Sequence, residues 1–142
     1  MIKDVIIDIK TEQTVDGVTD KIEFTTDGRF GFKEGSFFIR YDESKILEVD
    51  GEVETTVYVK PDNSVVLQRK GAYNSKMIIK KGIRNNCFYA TPHGELSLGI
   101  FGEKVNSNLS DNGGKICMNY TIDTNLQLIS RNAVNISIRE VK

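Results

Sequence analysis

The sequence predicts an all-β protein: one closed antiparallel β-barrel spanning residues 1–142 as a single domain, with about 8–10 strands and little or no helix. Three observations carry this expectation. Apolar residues recur with a period of two along almost the whole chain. Turn-forming residues separate the runs at short, regular intervals. No segment places apolar residues three and four apart over three turns, as an amphipathic helix requires.

The first run is Val5, Ile7 and Ile9, alternating with Asp4, Asp8 and Lys10, which marks a strand with one buried face. After the Asp16-Gly17 turn, Ile22, Phe24 and Thr26 alternate with Lys21, Glu23 and Thr25, and Asp27-Gly28 is read as the next turn. Phe37, Ile39 and Tyr41 follow. Ser44 to Val49 has room for a short turn of helix, closed by Asp50-Gly51. Val57 and Val59 are separated by Asp62-Asn63 from Val65, Leu67 and Arg69. Met77 and Ile79 form a short run, and Cys87, Tyr89 and Thr91 lead into the Pro92-His93-Gly94 turn. Leu96, Leu98 and Ile100 come next, and Asn112-Gly113-Gly114 precedes Ile116, Met118, Tyr120 and Ile122. Beyond the less patterned stretch from Asp123 to Ala133, the last run is Val134, Ile136 and Ile138.

A long antiparallel meander leaves two edges open to aggregation, and rolling up until the edges meet removes them. A barrel is therefore expected ahead of a sandwich. Apolar side chains inside and polar ones outside reverse the arrangement of an outer-membrane barrel.

Nineteen basic and twenty acidic side chains leave a formal charge of -1. No long-range positive field draws phosphate backbones or anionic lipid, so neither nucleic acid nor membrane is expected as a partner. Arg69, Lys70, Lys76, Lys80, Lys81 and Arg84 crowd one stretch and are read mainly as outward positions on solvated strands. The first ten residues lack the apolar block of a secretory signal, and no window approaches the roughly 20 apolar residues that cross a bilayer. A cytoplasmic location is expected. Cys87 and Cys117 have no metal or redox spacing and are expected as reduced, buried or half-buried thiols.

The motifs that could carry chemistry have plain readings. The single histidine, His93, sits at a turn tip where nothing orients it as a base. No three zinc ligands share a short spacing. Gly28, Gly31 and Gly35 precede no helix and are read as turn and bulge positions, not as a phosphate loop. The carboxylate pairs Asp42 with Glu43 and Glu52 with Glu54 are read as solvated. No catalytic residue, metal site or cofactor is assigned, and binding is expected ahead of enzymatic activity.

The central and C-terminal half reads Arg69-Lys-Gly71, then Met77, then Tyr89-Ala-Thr91-Pro-His93-Gly94-Glu-Leu96-Ser-Leu98, then Gly114-Lys-Ile116-Cys-Met118-Asn-Tyr120. This resembles the YwiB-like family of small bacterial proteins, a domain of unknown function. The resemblance implies a calycin-like, lipocalin-like barrel and brings no activity or catalytic residue with it. His93 and the pair Ile78-Ile79 stand where the family carries aromatics.

Parity gives the candidate site. Arg69 shares parity with Val65 and Leu67, and Tyr89 and Thr91 share it with Cys87, so Arg69, Tyr89, Thr91 and Tyr120 are candidate ligand-binding residues near the barrel mouth. An inward guanidinium needs a partner, which is either an anionic group of a ligand or a carboxylate or carbonyl closing the barrel end. Two functions follow: a barrel that holds a small-molecule ligand, or a solid-cored barrel whose outer face meets a protein partner, a second copy included. The second rests on apolar residues at outward parity, namely Ile6, Phe38, Tyr58, Val66, Ile78, Phe88 and Phe101.

Overall fold

Alternation makes strands at ten places: β1 (Ile2–Val15), β2 (Val18–Lys33), β3 (Ser36–Asp42), β4 (Val53–Val59), β5 (Val65–Gly71), β6 (Ser75–Ile79), β7 (Arg84–Thr91), β8 (Gly94–Ser110), β9 (Gly113–Thr124) and β10 (Gln127–Glu140). The computed structural model describes residues 2–43, 51–71, 74–91 and 94–141, excepting the side chains of 89–91 and 94–95, and these residues contain no helix. Each predicted run lies within one of the strands. Ser44 to Val49, Asp50 and the Pro92-His93 pair lie outside the described residues.

All ten strands join one antiparallel sheet in the order β6-β5-β4-β3-β2-β1-β10-β9-β8-β7. The order follows the chain around a circle, and β1 pairs with β10 from Val5 opposite Glu140 to Thr14 opposite Arg131. The barrel is nearly closed. Between β6 and β7 the backbone pairing among the described residues is the Lys80–Ile83 bridge of their connecting turn. Elsewhere along this seam side chains stand in for the ladder: the Cys87 thiol donates to the Lys76 carbonyl at 2.8 Å and Asn85 Nδ2 to the Ile78 carbonyl at 3.4 Å.

The inward parity of every wall segment fills the interior. Ile39, Val57, Leu67 and Met77 oppose one another across β3–β6, and Ile9, Ile136 and Ile116 do so across β1, β10 and β9. These seven side chains are buried, with Ile7, Ile79, Ile100 and Met118, in one continuous core. Burying each large aliphatic contributes about 1.5–3 kcal/mol.

Two expectations are corrected. Asp27-Gly28 is not a turn but lies inside β2, and Gly31 is also mid-strand. A Cβ at Gly28 would run into the Arg40 carbonyl and the Ile7 side chain, so glycine there answers the close approach of neighbouring strands. The turn sits instead at Glu34-Gly35, both at positive φ, as a two-residue hairpin of this kind demands. Several strands are also longer than their apolar cores. β8 continues past Ile100 through a register shift between Gly102 and Lys104, where a bulge lets the strand bend with the wall.

Candidate functional site

Three polar or mixed regions emerge from this framework: one end of the lumen, a brace on the outer wall of β7–β9, and a groove on the outer wall of β3–β6.

At the lumen end, one row of inward side chains crosses four strands, with Tyr41 opposite Thr55, Thr55 opposite Arg69, and Arg69 opposite Ser75. Glu43 closes the group. Its carboxylate accepts from Tyr41 Oη at 2.7 Å and from Arg69 Nε at 3.2 Å. The expectation that Glu43 is solvated is therefore overturned: only 6 % of it is exposed, because its amide still pairs with the Val53 carbonyl of β4 and its carboxylate lies against the inward Arg69 guanidinium. Arg69 faces inward, unlike Lys70, Lys76 and Arg84 of the same basic stretch. Burial, with Glu43 alongside, raises the Tyr41 phenol well above its ordinary value, and burial raises Tyr120 as well. Thr55 Oγ1 and Ser75 Oγ are enclosed and have no hydrogen-bond partner among the described residues. Of the four sequence candidates, Arg69 and Tyr120 share this end, while the side chains of Tyr89 and Thr91 lie outside the described residues. Glu43, Thr55 and Ser75 were missed, since nothing local distinguishes them from solvated strand-end residues.

On the outer wall, Arg84 of β7 reaches across β8 to Asp123 of β9 in a bidentate pair, Nη2 to Oδ1 at 2.6 Å and Nε to Oδ2 at 3.0 Å. The guanidinium lies over Gly99, where any side chain would collide with it. These hydrogen bonds hold the Asp123 carboxyl below its ordinary value and raise Arg84. Asp123 Oδ1 also accepts the Leu126 amide at 3.2 Å, which fixes the β9–β10 turn.

The third region is the groove. Outward residues Phe38, Tyr58, Val66 and Ile78 stand opposite one another across β3, β4, β5 and β6, and Gly31 and Ile2 continue the row onto β2 and β1. Ile2, Phe38, Tyr58, Val66 and Ile78 line a groove of about 700 Å³ together with Lys33, Arg40, Lys60 and Lys76; Phe38 and Val66 are buried in its floor, Tyr58 is half-buried, and Ile2 and Ile78 are its exposed apolar members. Phe38 tilts against Tyr58 at 6.4 Å and lies beneath the Arg40 guanidinium at 5.6 Å. Arg40 also pairs with Glu54, whereas Lys33, Lys60 and Lys76 make no ion pair among the described residues. Four of the outward apolar residues picked out by parity thus form one row. Ile6, Phe88 and Phe101 stand apart from it, on β1, β7 and β8.

A family model described as a domain of unknown function, DUF1934, matches residues 7–136. The chain belongs to this family. A DUF1934 chain is expected to share its barrel with relatives, and it does. It is 28 % identical over 116 residues to the uncharacterized β-barrel protein YwiB of Bacillus subtilis strain 168, covering 82 % of this chain and 79 % of that protein. The crystal structure of the ywiB protein from Bacillus subtilis superposes with a TM-score of 0.86 at 24 % identity, over 99 % of this chain and 94 % of that one. The family is a β-barrel family whose function is not defined, so the geometry has to carry the functional argument.

Proposed function

We propose that this DUF1934 barrel is a solid-cored binding module, non-enzymatic and cytoplasmic, that works through the outer wall of β3–β6 and takes a protein partner presenting apolar side chains flanked by carboxylates. The observation that carries the reading is the row Phe38–Tyr58–Val66–Ile78, an apolar stripe across four strands with lysines and an arginine along it. The groove's exposed apolar members, Ile2 and Ile78, are stabilised when covered, and the basic rim favours an acidic partner. Free thiols at both cysteines suit a reduced compartment.

A small ligand held at the lumen end by Arg69, Tyr89, Thr91 and Tyr120 is the second reading. It is favoured by the enclosed hydroxyls of Thr55 and Ser75, which lack partners among the described residues. It has less support, because Glu43 already engages the Arg69 guanidinium and large buried side chains fill the lumen.

The test is fluorescence anisotropy with a dye-labelled peptide alternating Glu with Leu. Saturable binding is expected, weakened by salt and by Tyr58→Asp or Lys76→Glu. Native mass spectrometry of the protein purified from its host separates the two readings: a reproducible small-molecule adduct, with no peptide binding, would transfer the function to the lumen.

A further inference from the structure

We infer that the partner fitting this groove is a second copy of the same chain, which inserts the tips of its β1–β2 and β9–β10 hairpins. This rests on the reading of the groove as a docking surface and adds the identity of the occupant.

The tips carry exposed apolar side chains. β1 and β2 remain paired out to Val15 opposite Val18, whereas β2 pairs with β3 only from Arg29 to Lys33, so on the β2 side this hairpin runs on past β3. At and near the two tips Val18 is 64 % exposed, Ile22 50 %, Leu128 55 % and Leu126 81 %. Charge matches the groove in the opposite sense. Residues 12–23 carry Glu12, Asp16, Asp20 and Glu23 against Lys21 alone, while Lys33, Arg40, Lys60 and Lys76 line the groove against Glu34 alone.

Leu126 adds an independent sign. It occupies the second position of a two-residue hairpin turn at φ +68°, after Asn125 at φ +50°. Asn-Gly is the relaxed choice for that turn, and a bulky residue at positive φ is strained. Arg84 and Asp123 hold the turn through the Leu126 amide. Strain kept at an exposed apolar tip points to a contact, because the turn alone would be better served by glycine.

The meander puts these tips at one end of the barrel, and the groove reaches the β2–β3 and β4–β5 turns at the other. A tip therefore cannot reach the groove of its own chain. Tip into groove is a heterologous contact, which builds rings or open chains. A groove of this size suits weak, concentration-dependent association.

Sedimentation velocity of the full chain from micromolar to millimolar concentration tests the inference. The mean mass is expected to rise with concentration and to fall back in high salt. Leu126→Gly is expected to raise Tm by about 2–4 °C as the strain is relieved, while weakening association about tenfold, near 1.4 kcal/mol. The double variants Lys60→Glu with Lys76→Glu, and Asp16→Lys with Asp20→Lys, are each expected to be monomeric and to associate again when mixed. A monomer at all concentrations that still binds the Glu-Leu peptide overturns the self-association and leaves the docking surface standing. Oligomers indifferent to both double variants overturn it too, and a chain that binds neither peptide nor copy overturns both.

Discussion

Where the ends of the chain meet, β1 and β10 share a continuous ladder, and Lys3 adds bonds to Glu140 and to the Asp111 carbonyl, each at 2.6 Å. Where β6 meets β7, adjacent in sequence and joined by a tight turn, the strands face each other across side-chain bonds from Cys87 and Asn85. The remote pair is thus zipped and the neighbouring pair is not. Proximity along the chain makes a turn easy to form, but a ladder needs both strands to be long enough and in register. β6 spans only five residues, and its carbonyls are capped by side chains, which blunts an edge that would otherwise recruit another strand. The turn itself rests on Gly102, whose carbonyl accepts the Gly82 amide at 2.8 Å.

The contrast can be broken from either side. The largest expected effect is at the zipped seam: Ile136→Ala, whose side chain is 2 % exposed between Ile9 and Ile116, should cost about 3 kcal/mol in urea unfolding. A loss below about 1 kcal/mol would mean that this seam does not anchor the core. Next is the brace between the ends of β3 and β5. Arg69→Met leaves the Glu43 carboxylate buried without its cation and should cost about 2–3 kcal/mol, somewhat under the range for fully buried pairs because the Arg69 side chain keeps 18 % exposure. Replacing both residues by Met should recover most of that loss, and a double variant no better than the single one would contradict the pairing.

At the open seam the effect is smaller. Asn85→Ala removes one side-chain bond to β6 and should cost about 1 kcal/mol or less, while amide exchange in β6 runs faster than in β10. Equal protection of the two strands would erase the distinction between the seams. The smallest effect is electrostatic. Asp62, at the β4–β5 turn, is held at about 2 by hydrogen bonds from Ser64, with Lys80 nearby, against an ordinary value of 3.8. A carboxyl depressed in the folded state stabilises above its unfolded value, and that stabilisation fades as pH falls from 3.8 towards 2. Asp62→Asn should flatten the acid limb of Tm against pH in that window, and an unchanged limb would contradict it.

Much of this was legible beforehand. All ten runs of alternating residues became strands, and parity alone placed Phe38, Tyr58, Val66 and Ile78 on the outer wall, where Phe38 and Val66 are nonetheless buried. The errors share one cause. Asp27-Gly28 has the composition of a turn, yet the approach of β3 decides its place in a strand; Glu43 has polar neighbours in sequence, yet a guanidinium 26 positions away buries it. Leu126 gave no warning, because its strain comes from a turn closed by Asp123 and, behind it, Arg84.

The amino-acid order by itself determined where strands form and which face of each turns inward, because a period of two is a local property of an extended backbone and apolar side chains need only one shielded side. Which strands zip, where the wall stays open, and which distant charges meet were decided only in three dimensions. Those outcomes depend on register and curvature, set jointly by strands that lie up to the whole chain apart.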